Sequence, residues 1–166
     1  MGSGIFPELD QAAVYLSRSD PEQLLGTYSK HGFELEGEYW PSVEHYYQAM
    51  KFENIDQQRK IREADHPKKA RRLGRRRFTK MRRDWSKVKQ IVMTRGIYTK
   101  CRSHPEVAEA LLETDNNKLV ENSQYDYFWG CGRDRRGNNV YGKVLMNVRS
   151  QLREEAQWVN GSGDTE

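Results

Sequence analysis

The stretch 40–52, WPSVEHYYQAMKF, sets its apolar side chains at a helical period. At about 100° per residue, Val43, Tyr46, Tyr47 and Met50 share one face. Trp40 precedes a proline and is biased toward extended backbone, and Ser42 is a good N-cap, so the helix is predicted to begin at Val43. Ala49 and Phe52 lie on the other side. A helix apolar on most sides is usually central. Upstream, residues 33–39 (FELEGEY) alternate apolar and acidic positions around Gly37, which predicts a small hairpin feeding the helix. Further upstream, a short helix is predicted from Asp10 to Leu16.

Downstream, residues 53–66 predict a polar helix carrying Ile55 and Ile61, and Pro67 can open the next one. Asp84 is predicted to cap a helix running to about Lys100, with Trp85, Val88, Ile91 and Val92 inward. Ser103 and Glu106 match a capping box for a short helix to Leu112. Residues 118–121 predict a short strand. Asn139 then caps a last helix whose core face is Val140, Val144, Leu145, Val148 and Leu152. These elements predict an α+β fold, a single mainly helical domain with a small β-sheet or hairpin. The domain is expected over 25–155, after an N-terminal extension (1–24) and before a flexible tail (156–166).

Composition bounds the function classes. The chain has 166 residues, 36% hydrophobic and 31% charged, with 9 Tyr, 5 Phe and 4 Trp. That aromatic content argues against disorder. The two cysteines, Cys101 and Cys131, form no CxxC, and no apolar run reaches membrane-spanning length. A soluble protein of a reducing, cytoplasmic compartment is expected, without membrane contact. The four histidines are scattered, so no metal site and no cofactor are expected. The sequence leaves the oligomeric state open.

The net charge of +4 is concentrated in one place. Ten of the sixteen residues in 68–83 are Lys or Arg. Such runs are usually solvated faces, but Leu73, Phe78 and Met81 interrupt this one at anchoring spacings. An anion site for phosphate or a nucleic-acid backbone is therefore expected. On the central helix, Glu44, Gln48 and Lys51 border the apolar face. They read either as an ion pair closing a core edge or as an acid/base with an amine partner. Residues 125–139 hold three glycines, three arginines and four aromatic rings, too many special residues for a plain linker. Gly132 and Gly137 have phosphate-loop spacing but lack the following Lys-Ser or Lys-Thr, so the P-loop reading fails. A glycine-containing loop entering a helix N-terminus is nonetheless a ready anion site.

At this point the residues are similar to a known family. The 40–52 helix, ARRLGR at 70–75, RDWSKVK at 83–89, Leu119-Val120-Glu121, Asp126, Trp129-Gly130-Cys131-Gly132 and GNNVYGKVLMNVR at 137–149 resemble, in order, the motifs of the NADAR superfamily of YbiA-type N-glycosidases. Gly26-Thr27-Tyr28 stands where the family has a Ser-Asn-Phe-like turn, so an amide contact is either missing or replaced by Thr27. Tyr141-Gly142 replaces its Leu-Gly.

The resemblance implies hydrolysis of a bond between a ribose carbon and a base or amine nitrogen. Two substrate types are associated with the family: ADP-ribose on guanine in nucleic acid, and phosphoribosylated pyrimidine intermediates of riboflavin synthesis. The first is favoured here because of the basic run at 68–83, which offers nucleic acid a surface. Glu44 is the first catalytic candidate and Asp126 the second. Lys51 either attacks the anomeric carbon, or only orients Glu44 or binds an oxygen. Tyr47, Gln48, Gly130 and Gly132 fall in the matched motifs as substrate-binding candidates. Tyr127 and Trp129 would grip the leaving ring, and Arg75, Arg133 and Asn139 with its loop would hold phosphate. Trp129 and its loop must then share a cavity with Glu44 and Lys51. A non-catalytic module binding ADP-ribose or RNA is the competing class.

Overall fold

The computed structural model describes residues 12–75 and 79–161. Phe78, expected to anchor the basic run, lies outside the described residues, as do residues 1–11 of the expected extension and 162–166 of the tail. The element order is β1 (Val14–Leu16), β2 (Phe33–Leu35), β3 (Glu38–Trp40), α1 (Val43–Ala49), α2 (Ile55–Arg62), α3 (Pro67–Gly74), α4 (Trp85–Ser103), α5 (Pro105–Leu112), β4 (Leu119–Glu121) and α6 (Val140–Gly161). This is the expected α+β architecture of helices with few short strands. The chain divides into two units, residues 18–107 and residues up to 17 joined with 108 onward.

The first unit is built around α1. β2 and β3 pair antiparallel, Leu35 facing Glu38, so Glu36 and Gly37 form the two-residue turn. Both have positive φ, 58° and 78°, the backbone that matches the twist of a tight hairpin. Ser42 caps α1, its hydroxyl accepting from the His45 N–H. Every residue of α1 is buried. Trp40, Phe33 and Tyr46 meet edge-on, and Tyr47 packs on Trp85 of α4. His66 and Pro67 open α3 as expected. Ile61 of α2 is buried, whereas Ile55 is exposed.

In the second unit, β1 pairs parallel with β4, Val14 beside Leu119 and Leu16 beside Glu121. The helix expected from Asp10 to Leu16 is thus corrected to a strand over Val14–Leu16. β4 also packs on α6. The inward residues of α6 are those expected, with Val140, Val144, Leu145, Val148 and Leu152 all buried. The helix continues through Gly161, so 156–161 are helical. Two other details differ from expectation. Ile91 faces solvent, because the buried stripe of α4 runs through Val92, Met93, Gly96 and Ile97. Ser103 ends α4 rather than capping α5. Among the described residues no helix is long and apolar enough to cross a membrane.

Candidate active site

Glu44 is 1% exposed, in the first turn of α1. A carboxylate so buried is costly unless its lone pairs are filled. They are. Oε1 accepts from Gln48 Nε2 and Arg71 Nε, each at 2.8 Å. Oε2 accepts from the Thr27 hydroxyl at 2.7 Å and from a second Arg71 nitrogen at 3.3 Å. Burial by itself would raise this carboxyl's pKa. The charge of Arg71, and the hydrogen bonds from Arg71, Gln48 and Thr27, outweigh it and hold the group below the usual carboxylate range. Glu44 is therefore a fixed anion. Thr27 reaches Glu44 from the segment preceding the hairpin.

The partner of Glu44 is Arg71, not Lys51. Arg71 sits on α3, where Pro67, Ala70 and Gly74 form the buried stripe and Arg71 flanks it at helical spacing. Its third nitrogen donates to Ser19 Oγ at 2.8 Å, and its guanidinium lies 4.7 Å from the centre of the Tyr28 ring. The approach of α3 to α1 is tight: a Cβ on Gly74 would lie 2.0 Å from Gln48 Oε1. That oxygen is buried and has no hydrogen-bond partner among the described residues.

Lys51 lies beyond the end of α1, in a turn where its N–H bonds Gln48 O and its carbonyl accepts from the Arg82 N–H. Its ammonium stands 5.6 Å over the Tyr47 ring. Burial pushes its pKa down to about 8, helped by Arg75, Arg71 and Lys89 and opposed by Glu44. Tyr47 is itself a core residue, 7% exposed.

A cleft of about 990 Å³ opens beside α3, lined by Tyr28, Asp65, His66, Lys68, Lys69, Arg71, Arg72 and Arg75. One of its cations, Lys69, is paired with Asp65 at 3.5 Å. Arg75, expected to hold phosphate, lies on this wall. Lys68 and Lys69 were read in the sequence only as members of a basic run, and Arg71 and Arg72 as members of that run and of the 70–75 motif, without a role of their own. The signal that could have singled out Arg71 is its place beside the Pro67–Ala70–Gly74 stripe.

The remaining candidates belong to the second unit. Asp126 Oδ1 accepts from the N–H groups of Phe128 and Trp129, at 3.0 and 2.8 Å, shaping the turn. Trp129 is 7% exposed and meets Phe128 edge-on, whereas Tyr127 is half-exposed. The Tyr127 ring covers Gly132, whose φ is +72°. Gly130 backs onto Glu121, and Arg133 is exposed. Asn139 spends its side chain on β4: Oδ1 accepts from the Glu121 N–H and Nδ2 donates to Leu119 O. The amides expected to cradle an anion before α6 are also occupied. Those of Asn138, Asn139, Val140 and Tyr141 donate to the carbonyls of Tyr127, Gly130, Phe128 and Trp129. Arg149 donates to Thr114 Oγ1 and Asn117 O. Both cysteines are free.

Comparison with known proteins identifies the family. The NADAR domain family matches residues 5–153. An N-glycosidase of Nostoc punctiforme is 40% identical over 136 residues, covering 80% of this chain and 87% of that protein. The N-glycosidase YbiA of Escherichia coli is 36% identical over 143 residues, covering 86% and 89%. The NMR structure of the E. coli protein YbiA superposes with a TM-score of 0.79 at 33% identity, over 93% of this chain and 92% of that one. The chloroplastic riboflavin biosynthesis protein PYRR of Zea mays is 39% identical over 140 residues, 75% of this chain but 22% of the longer protein. The chain belongs to the NADAR domain family and, like its N-glycosidase relatives, is a hydrolase of N-glycosyl compounds.

Proposed function

We propose that this protein removes ADP-ribose from guanine bases in nucleic acid. The observation that carries the reading is the cationic cleft on the same helix that supplies Arg71 to Glu44. ADP-ribose brings a diphosphate to that wall, and a nucleic-acid backbone brings more phosphates.

The chemistry divides between two groups. Cleavage passes through an oxocarbenium-like sugar, and a fixed anion stabilises it electrostatically. Glu44, saturated with donors and held ionised, suits that role rather than general acid catalysis. Lys51 supplies the nucleophile. With a pKa of about 8, roughly a tenth of it is the neutral amine at pH 7. The amine attacks the anomeric carbon and the bond to the base nitrogen breaks, the base leaving with a proton. The aminoglycoside nitrogen gives up the proton that the base takes, and the ring C–O bond opens to a protonated Schiff base, its oxygen taking a proton from water. The hydroxide adds to that carbon, and collapse of the carbinolamine releases ADP-ribose and the free amine. The sum is substrate plus water giving sugar plus base.

The relation to a riboflavin biosynthesis protein favours a second reading, hydrolysis of phosphoribosylated pyrimidine intermediates. One panel separates the two: ADP-ribosyl guanine in DNA and in RNA, and the pyrimidine intermediates, with release of free base followed by chromatography. The first reading expects turnover of the nucleic-acid substrates and a rate that falls steeply with salt. Salt-insensitive turnover of the small pyrimidines alone selects the second. Binding without release of any base rejects both. Borohydride added during turnover is expected to trap a sugar–Lys51 adduct, and its absence rejects the Schiff base.

A further inference from the structure

Lys100 is 1% exposed, near the C-terminal end of α4. A buried ammonium is tolerated when each proton finds an oxygen. Here three do: Nζ donates to Leu24 O at 2.5 Å, Gly26 O at 2.8 Å and Ser29 Oγ at 2.5 Å. These acceptors bracket a segment of turns and bends that has no sheet or helix ladder of its own. Inside the bracket lie Thr27, which hydrogen-bonds Glu44 through its hydroxyl and accepts the Glu44 N–H at its carbonyl, and Tyr28, which underlies Arg71.

The Thr27 hydroxyl has one proton and two acceptors in reach, Glu44 Oε2 at 2.7 Å and Arg18 O at 3.1 Å. A shift of a few tenths of an ångström in the segment would exchange their order. We infer that Lys100 is a positioning residue for the reaction: by clamping residues 24–29 it directs the Thr27 proton to the Glu44 carboxylate. This rests on the catalytic role assigned to Glu44 above.

The test uses the full chain carrying Lys100→Met, Thr27→Val, the double variant, and Ser29→Ala. The Glu44 carboxylate is followed by ¹³C NMR as the free protein is acidified, and kcat and KM are measured on the best substrate of the panel. The groups around Glu44, namely Arg71, Tyr28, His45 and Lys51, are unaltered in all four, so a shift reports the Thr27 donor. Lys100→Met should raise the Glu44 midpoint in the same direction as Thr27→Val. The double variant should shift no further than Thr27→Val alone. We expect kcat to fall about tenfold in Lys100→Met and in Thr27→Val, with KM within about twofold. A folded Lys100→Met protein with the wild-type midpoint and kcat overturns the inference, as does a double variant whose effects add. If Lys100→Met does not fold, Ser29→Ala removes one acceptor of the clamp and should give a smaller shift of the same sign; no shift overturns it. If the wild type releases base from no substrate, the functional reading falls, while the titration still decides whether Lys100 sets the Thr27–Glu44 bond.

Discussion

Arg71→Met strips Glu44 of two of its four donors and of its only ion-pair partner among the described residues, while keeping bulk over the Tyr28 ring. Hydrogen bonds to a charged group contribute about 1.5–3 kcal/mol each, and breaking a buried pair from one side costs about 3–5 kcal/mol. Glu44 is 2% and Arg71 17% exposed at the side chain, and Thr27 and Gln48 continue to donate. We therefore take the low end, about 3 kcal/mol at pH 7.5, or a fall of roughly 6–12 °C in Tm. The pH dependence fixes the cause. In the wild type the folded pKa of Glu44 is depressed, so its contribution is present above the unfolded carboxylate value and lost as pH falls through the folded one. Without Arg71, burial dominates and raises the folded pKa. The ionised carboxylate then costs stability at neutral pH, and acid relieves that cost. The gap between the two proteins should be widest at pH 7.5 and narrower at pH 5. Urea unfolding followed by tryptophan fluorescence at both values measures it. A loss below about 1 kcal/mol, or a gap independent of pH, would refute the claim that Arg71 is what keeps Glu44 ionised.

Other outcomes follow from the same geometry. The pH–rate profile should rise through about 8 as the Lys51 ammonium loses its proton, and Lys51→Arg, which cannot present a neutral amine, should fall to background. A flat profile between pH 6 and 9 speaks against a nucleophilic Lys51. Gly74→Ala places a methyl 2.0 Å from Gln48 Oε1. It should cost about 1–3 kcal/mol by overpacking and lower kcat as Gln48 leaves Glu44, measured by unfolding and turnover together. Asn139→Ala leaves the Glu121 N–H and Leu119 O without their partners, at a residue with φ +49°. It should cost about 2–4 kcal/mol, and Asn139→Asp, which keeps the acceptor but not the donor, should cost less.

What the sequence showed about this site depended on how local each signal was. The hairpin was legible because Glu36-Gly37 is a two-residue turn between alternating residues, and α1 because Ser42 and its stripe lie within one short window. The pairing of Glu44 with Lys51 was not, because it assumed helical geometry over seven residues. α1 stops at Ala49, and Lys51 sits in a tighter turn whose N–H reaches back to Gln48. Arg71 was hidden for a different reason. In a run where most neighbours are solvated cations, charge says nothing about which one points inward, and only the small buried residues at 67, 70 and 74 mark the face. β1 was unreadable locally: three residues carry no reliable period, and their partner lies more than a hundred positions later.

That pairing has a bearing on synthesis. Val14–Leu16 leaves the ribosome well before Leu119–Glu121 exists, at ordinary elongation rates about 5–20 seconds earlier. For that interval the strand has no ladder to join, while residues 18–107 can already settle around α1. The unit assembled from the two outlying stretches must be the last to close, and a chaperone or a protease would find it open longest.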